Sequence, residues 1–579
     1  MTSVLAKGPA SLPLPVPAPW VHRVRTTNFR SHATAELQLE PGFNLLIGPG
    51  DSGKSTMLTA IEYALWPLYA LSVTDNDFHM GRLEQEIVID VWVANPPLAL
   101  RTDSKFLGYL LGFLDGELLP DPSRDPRDLT ALNIRLTIGR DLEPVWEVVK
   151  NGQEPRAIRT TDRAALGMQR VGRGLPQDLR WGRGSSLTRQ TQDTEGALSV
   201  VREAARGART ASSTALREAL AAPTSTITAA AHRLRAIPQR VHLEAAEDLD
   251  GLARGLGNIT LHGDNGIPVS RAGLGTQRTV AIAAQLGVSE SPALLLLDDL
   301  EHGLAPQRVQ ALIHSLQREI RDGHAGQVLA TTHSPRAIRE LPSHAIVLTR
   351  QDSSGQVEFR RLTTEHQGTV RSAPEGLLAP RVVVCEGATE VGLVRAVIAL
   401  MEESRTPMYV IAEPVDAGGR SNLVRRANDF AGLGFPVACV FDMDEVPDNL
   451  ASLNPDVVKF PAEDGNATEH QLFADVSPTG MSELIRLASE LGATTGPALR
   501  QRLLSRNVTT AEIDCLTTAQ WTAEPTSSLR KALGATANKD KWFKNIASGE
   551  LLLTCAYPSL REGSTMQQTV LGLQQWMAG

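Results

Sequence analysis

Apolar and polar positions alternate through VHRVRTTNF and crowd together in FNLLI, predicting two strands within residues 20–47, the second feeding a glycine-rich loop. Ser55 to Tyr63 then takes on helical character. EQEIVIDVWV (84–93) is strand-like, and LNIRLTIGR (132–140) with VWEVVK (145–150) resembles an antiparallel pair. The pattern predicts a mixed N-terminal lobe, not a repeated βαβ unit. Between 150 and 195 no periodicity holds. Residues 196–248 are rich in Ala, Leu, Glu and Arg and read as helices interrupted at Pro223 and Pro238. No sustained heptad follows, so a long coiled-coil rod is excluded. ALLLLDD (293–299) reads as a buried strand, 305–320 as an amphipathic helix opening with Pro306, and QVLATTH (327–333) as the next strand. Two further apolar runs end on acids, VVVCEGATE (382–390) and VACVFDMDE (437–445). RSAPEGLLAP (371–380) suggests a boundary, and the chain beyond 480 is mostly helical.

These patterns predict an α/β chain in five stretches: a flexible lead over 1–20, the N-terminal lobe of a first α/β domain over 21–160, and a helical, dimerising insert over 161–250. The C-terminal lobe of that first domain over 251–372 and a second α/β domain with a helical end over 373–579 complete it. The 579 residues exceed one ordinary core, and a 42% hydrophobic fraction reads as a soluble, globular, cytoplasmic protein. No apolar run of about 18 residues is present, which argues against a membrane span. Lys7 and the Pro-rich SLPLPVPAP make a flexible lead-in, not a signal peptide. Cys385, Cys439, Cys515 and Cys555 are scattered and read as reduced core thiols. A net charge of -8 neither advertises nor excludes a nucleic-acid partner, because metal-holding carboxylates lower the total while a substrate meets a local field.

GPGDSGKST (48–56) fits G-x-x-x-x-G-K-S. Gly48, Gly50 and Gly53 let backbone N–H groups face phosphates, Lys54 reaches the terminal phosphates, Ser55 can ligate magnesium, and Thr56 opens the helix. Downstream, Asp298 is placed to support the metal, Asp299 to polarise water and His333 to sense the terminal phosphate. Ser270, Gly273 and Gly275 of SRAGLGTQR precede a helix and suit a phosphate contact across a dimer interface. Their order resembles the ATP-binding-cassette heads of DNA-repair and chromosome-structure ATPases. In that resemblance Ser270–Gln277 is a degenerate signature motif, Glu301–Leu304 the D-loop and His333 the switch histidine, implying head-to-head dimers that sandwich ATP. Asp299 stands where the catalytic glutamate is usual, and no Gln-loop glutamine can be placed. Slow or absent hydrolysis, with ATP as a regulatory ligand, is the expectation.

Two-metal phosphoryl transfer needs carboxylates from several elements, because hard divalent cations prefer oxygen ligands. Glu386 and Glu390 supply one edge. Asp442 and Asp444, two apart on an extended segment, supply another from one face. Glu463, Asp464 and Glu469 offer a third, with the choice among them open. This set resembles the Toprim domain, and a cassette head followed by Toprim resembles the OLD (overcoming lysogenization defect) nucleases, over most of residues 21–550. The resemblance implies Mg2+ or Mn2+ on Glu386, Glu390, Asp442 and Asp444, completed by Asp464 or Glu469. It also implies a transition-state lysine, Lys544 of NKDKWFKNI, with Lys541 as the alternative. Glu386, Asp442, Asp444 and Lys544 then form the DNA-cleaving set. Anti-phage defence follows from the same resemblance, with a UvrD-like helicase as partner in some members. The competing reading is an ATP-switched DNA-binding scaffold without cleavage. Topoisomerase and primase readings are weaker, lacking a recognisable DNA-cleaving tyrosine domain and a zinc cluster.

Overall fold

The computed structural model describes residues 18–67, 71–123, 129–171, 180–181, 217–248, 258–264, 266–287, 293–352, 355–404, 412–519, 521 and 524–579. Two compact units result, Met1–Gln367 and Gly368–Gly579.

In the first unit an antiparallel sheet runs β2–β1–β4–β7–β5–β6, with β8 also on β7 and β9 on β8. Its strands are β1 (Trp20–Phe29), β2 (His32–Gln38), β4 (Ile87–Ala94), β5 (Leu111–Leu114), β6 (Glu117–Leu119), β7 (Leu129–Ile138), β8 (Pro144–Val149) and β9 (Arg156–Ala157). Alternation sets its faces. Ile87, Ile89, Val91 and Val93 of β4 and Leu132, Ile134, Leu136 and Ile138 of β7 point into one core, against the helix Lys54–Leu65. A second sheet runs β10–β14–β15–β3–β16–β17, with β3 (Gly42–Ile47), β10 (Met168–Val171), β14 (Ala293–Leu297), β15 (Ala325–Thr331), β16 (Ile346–Gln351) and β17 (Val357–Arg361). It is parallel except for the β16–β17 hairpin. The amphipathic helix Pro306–Arg321 opens on its proline, where no intrahelical N–H partner is lost.

The expected helical insert over 161–250 differs in the described part. β10 joins the ATPase sheet beside β14, and β12 (Leu243–Asp248) pairs with β13 (Asn258–Gly263), itself paired with β11 (Arg180–Trp181). LEAAED favours helix by composition, and cross-strand pairing overrides that preference. Pro223 lies in the first turn of the helix Ala221–Arg233, so it does not break it. The rest of the insert, and the lead 1–17, lie outside the described residues.

The second unit holds a four-stranded parallel sheet, β19–β18–β20–β21: β18 (Arg381–Cys385), β19 (Ala412–Asp416), β20 (Val437–Phe441) and β21 (Val458–Pro461). The chain steps from β18 to β19, then crosses back over β18 to β20. The carboxyl ends of these strands border the crevice that such a reversal opens, the usual ligand site of an open α/β sheet. Helices from Pro478 to Ala578 pack with the helix Ala388–Glu403 around one apolar core. Among the described residues no helix is long and apolar enough to cross a membrane.

Candidate nucleotide and metal centres

The P-loop leaves β3 and enters the helix Lys54–Leu65 through Gly53, whose φ is 95°. A Cβ on Gly53 would lie 2.6 Å from His32 Nε2, so both backbone and space demand glycine. His32, buried on β2, has Nε2 3.1 Å from the Gly53 carbonyl oxygen and Nδ1 2.9 Å from Thr26 Oγ1. Burial pulls its pKa down to about 4, so a neutral ring braces the loop. The Lys54 ammonium donates to the Gly48 and Pro49 carbonyls at 3.0 and 2.6 Å and to Ser52 Oγ at 3.1 Å. Burial lowers it to about 8, against the pull of Asp299, Asp51, Asp298 and Glu301. A buried ammonium hydrogen-bonded to neutral oxygens suits an incoming anion.

Ser55 Oγ donates to Asp298 Oδ1 at 2.9 Å, and Thr331 Oγ1 donates to the same oxygen at 2.8 Å. The P-loop serine and the acid after β14, far apart in sequence, thus meet as a phosphate-bound magnesium requires. Arg170 on β10 reaches to 3.8 Å from the other Asp298 oxygen. The Asp299 N–H donates to Thr331 Oγ1 at 2.8 Å, with Asp299 at φ 50°. Thr56 Oγ1 accepts from Ser31 at 2.9 Å. Gly50 sits at the exposed loop crest. Glu301, expected in the D-loop place, also accepts from the His333 N–H at 2.7 Å and the Thr332 hydroxyl at 2.6 Å, fixing the strand end that carries His333. Ser270, Gly273 and Gly275 stand together at the start of the helix Leu274–Leu286. Gln277 ties their loop down through the Ser270 and Ala272 carbonyls, at 3.0 and 2.7 Å. A Cβ on Gly275 would come within 2.7 Å of the Gly303 carbonyl, so this loop packs on the 299–304 turn. Sequence reasoning missed His32, Thr331 and Arg170, which belong to no motif. The polar His32 in NFRSH was the one available signal.

In the second unit Glu386 follows β18, and its N–H continues the ladder to the Val440 carbonyl at 3.0 Å. Its Oε2 accepts from the Asp442 N–H at 3.1 Å. Glu390, on the first turn of the helix Ala388–Glu403, accepts from the Gly387 N–H at 3.0 Å. Thr468 unites the strand ends. Its N–H and hydroxyl meet Asp442 Oδ1 at 2.7 and 2.8 Å, and the hydroxyl lies 2.9 Å from Glu390 Oε1. One hydroxyl proton therefore faces two carboxyl groups. Lys544 enters from far along the chain because Thr389 Oγ1 donates to the Phe543 carbonyl at 3.0 Å. Its ammonium donates to Glu469 Oε2 at 3.1 Å and sits 3.0 Å from Oε1. Glu386, Glu390, Asp442 and Lys544 line a cleft of about 240 Å³, with Asp416 and the Gly418–Gly419 turn opposite.

Burial, then the charge of Asp442, pushes Glu386 up to about 7. Burial also raises Glu390, reinforced by Asp442 and Glu469, and raises Asp442, reinforced by Glu469. For Lys544 burial pulls down, and the attraction of Glu469, Asp442 and Glu390 outweighs it, leaving the amine raised.

One placement differs from the sequence reading, and two others separate residues between which it left a choice. Strand β20 stops at Phe441 and 442–445 bends, so Asp442 is buried while Asp444 is exposed, accepting from Asn538 Nδ2 at 3.3 Å. The period-two argument fails because the pair is not extended. Asp464 and Glu463 sit in an exposed turn, whereas Glu469, on the helix Thr468–Asp475, is fully buried beside Lys544. Lys541 is exposed at φ 56°, and Lys544 is the lysine that lines the cleft.

Among the described residues no three His, Cys, Asp or Glu side chains converge as a ready-made metal cage. The donor chemistry nevertheless fits a hard divalent cation. The acids are oxygen donors from separate elements, crowded until their charge is disfavoured, and the buried Glu469 Oε1 has no aligned hydrogen bond.

A family profile described as "Overcoming lysogenization defect protein-like, TOPRIM domain" matches residues 377–444. Profiles described as "AAA domain" and "AAA domain, putative AbiEii toxin, Type IV TA system" match 23–88 and 186–339. A DNA double-strand break repair Rad50 ATPase of Methanopyrus kandleri is 45% identical over 47 residues, 8% of this chain and 5% of the relative. Solved structures with local likeness include an SmcHead bound to the C-winged helix domain of ScpA, with a TM-score of 0.38 and 12% identity over 60% of this chain and 99% of that one. An Smc head domain bound to the C-terminal domain of ScpA derived from Pyrococcus furiosus gives the same TM-score and identity, over 61% and 98%. The chain carries an OLD-like Toprim domain fused to AAA ATPase segments, an arrangement consistent with OLD-family architecture.

Proposed function

We propose that the chain is a metal-dependent DNA endonuclease whose cutting is governed by ATP, acting in anti-phage defence as a homodimer or higher homo-oligomer. The observation that carries this reading is that Glu386 and Glu390, from the stretch just after β18, and Asp442, from the end of β20, line one cleft that also admits Lys544. Glu386, Glu390 and Asp442 would hold Mg2+ or Mn2+, with Asp444 at the exposed rim and Glu469 behind. When bound, the cation supplies an activated water and charge neutralisation for phosphodiester hydrolysis. Thr468 orients Asp442 and Glu390. Lys544, held by Glu469 yet about one-third exposed, presents positive charge where a phosphate gains negative charge. Lys54, Ser55 and Asp298 would hold ATP and its magnesium.

The test is plasmid cleavage with magnesium or manganese, with and without ATP, beside Asp444→Ala. Metal-dependent nicking lost in the variant, with ATP binding kept, is the expected outcome. Full nicking by Asp444→Ala would remove that residue from the cutting set. Metal-dependent stability without any cleavage would favour the scaffold reading.

A further inference from the structure

We infer that the outer face of the antiparallel sheet carries a second nucleotide-recognition pocket, separate from the P-loop, which takes one nucleotide unit, free or as part of a single strand. The cavity measures about 700 Å³, within the range of small-molecule sites. Its floor is two cross-strand rows on the face opposite the core. In one row the register sets Arg25 between Glu36 and Asp90, and Arg135 between Asp90 and Glu147. These charges satisfy one another: Arg25 donates to Glu36 at 2.6 and 2.9 Å, and Arg135 donates to both Asp90 oxygens at 2.8 and 3.0 Å.

The neighbouring row is different. It reads Arg23, Trp92, Asn133, Val149 across β1, β4, β7 and β8. Asn133 is 6% exposed and donates to Asp90 Oδ1 at 3.1 Å, but its own Oδ1 is buried with no hydrogen-bond partner. Arg23 Nε is likewise buried without a hydrogen bond, its ion pair with Glu36 standing at 3.6 Å. A buried polar group is normally paired, and each one left unpaired costs stability. An acceptor and a cationic donor, both without a hydrogen bond, thus flank one indole ring in one cavity. The guanidinium groups of Arg23 and Arg25 lie 5.9 and 6.0 Å from the Trp92 ring centroid. The hairpin residues Leu118, Leu119 and Pro120 form an apolar wall.

This chemistry reads as a nucleotide. An exocyclic amino group of a base matches the Asn133 oxygen, the flat base matches Trp92 and the apolar wall, and a phosphate matches Arg23. Of the four lining cations, Arg25, Arg135 and Lys150 are already hydrogen-bonded to Glu36, Asp90 and Asp121, which leaves Arg23, with only a 3.6 Å approach to Glu36, as the cation available to a ligand. A planar ligand carrying one anionic group is what Arg23 beside the Trp92 ring suits.

The experiment uses the full chain carrying Lys54→Ala, which silences the P-loop. Deoxyadenosine monophosphate is titrated by calorimetry, and a short 5′-phosphorylated, fluorescein-labelled oligodeoxyadenylate by anisotropy. Arg23→Gln and Asn133→Ala should each weaken binding about tenfold or more, the equivalent of one lost charged or buried hydrogen bond. Trp92→Leu should lose it, and Trp92→Phe should keep most of it. Binding of the monophosphate identifies a free nucleotide as ligand, whereas binding of the oligonucleotide alone identifies a strand. Arg23 is partly exposed, so Arg23→Gln remains informative should Asn133→Ala fold poorly. No binding of either probe, or binding indifferent to Arg23→Gln and Trp92→Leu, overturns the proposal. Neither readout depends on DNA cleavage.

Discussion

Replacing Lys544 by methionine should cost the second unit stability as well as activity, and the size of the loss follows from one ion pair. Glu469 has no exposed side-chain surface, and Lys544 is 32% exposed. Removing one partner from a buried pair typically costs about 3–5 kcal/mol, because the remaining charge stays desolvated. Water reaches this lysine, so a discounted cost of about 2–3 kcal/mol is expected for Lys544→Met. Glu469→Gln should cost less, about 1 kcal/mol, since the freed ammonium can turn towards solvent. With both changes made the stranded charge disappears, so the double variant should lie well above the sum of the singles, with a coupling of at least about 1.5 kcal/mol. Native-state hydrogen exchange on the full chain, read in peptides from the helix Ile546–Ala556, isolates this unit from the ATPase. Additivity within about 0.5 kcal/mol would refute the claim that Lys544 neutralises Glu469. The proposed nuclease activity should fall in all three variants, so the exchange data carry the structural test independently.

The acid cluster sets a pH dependence of definite sign. Glu386, raised from 4.5 to about 7, and the raised Glu390 and Asp442 bind protons more tightly folded than unfolded. Their contribution to stability is therefore lost as pH climbs from the ordinary carboxylate range to about 7 and beyond. Because the lowered His32 and His470 act in the opposite sense, it is read as the difference between the parent and Glu386→Gln in a melting series with EDTA, and Mg2+ or Mn2+ should shrink that difference. The same metal-free slope in the parent and in Glu386→Gln would contradict the geometry. Gly53→Ala, forcing a side chain into the left-handed region against His32, should destabilise the P-loop by about 1–3 kcal/mol and abolish ATP binding, as measured by thermal shift with ATP. Lys54→Ala should abolish ATP binding while leaving metal-induced stabilisation of the second unit intact; loss of both would mean the two centres are not chemically separate.

The sequence by itself determined much of the ATPase and Toprim framework. The P-loop needs contiguous glycines, lysine and serine, and the apolar runs ending at Leu297, Cys385 and Phe441 are strands because their burial pattern is local. Glu386, Glu390, Asp442 and Lys544 could be nominated because family motifs mark them. Only the tertiary structure buries Glu469 beside Lys544 and leaves Asp464 and Glu463 exposed, because burial depends on which side of a turn meets the core. It also separated Asp442 from Asp444, since a bend after Phe441 cannot be read from a D-x-D spacing. Thr468 bridging two acids, Arg170 beside Asp298 and His32 beneath Gly53 were invisible for the same reason. Their partners lie on other elements, brought near by strand pairing and helix packing that no local pattern encodes.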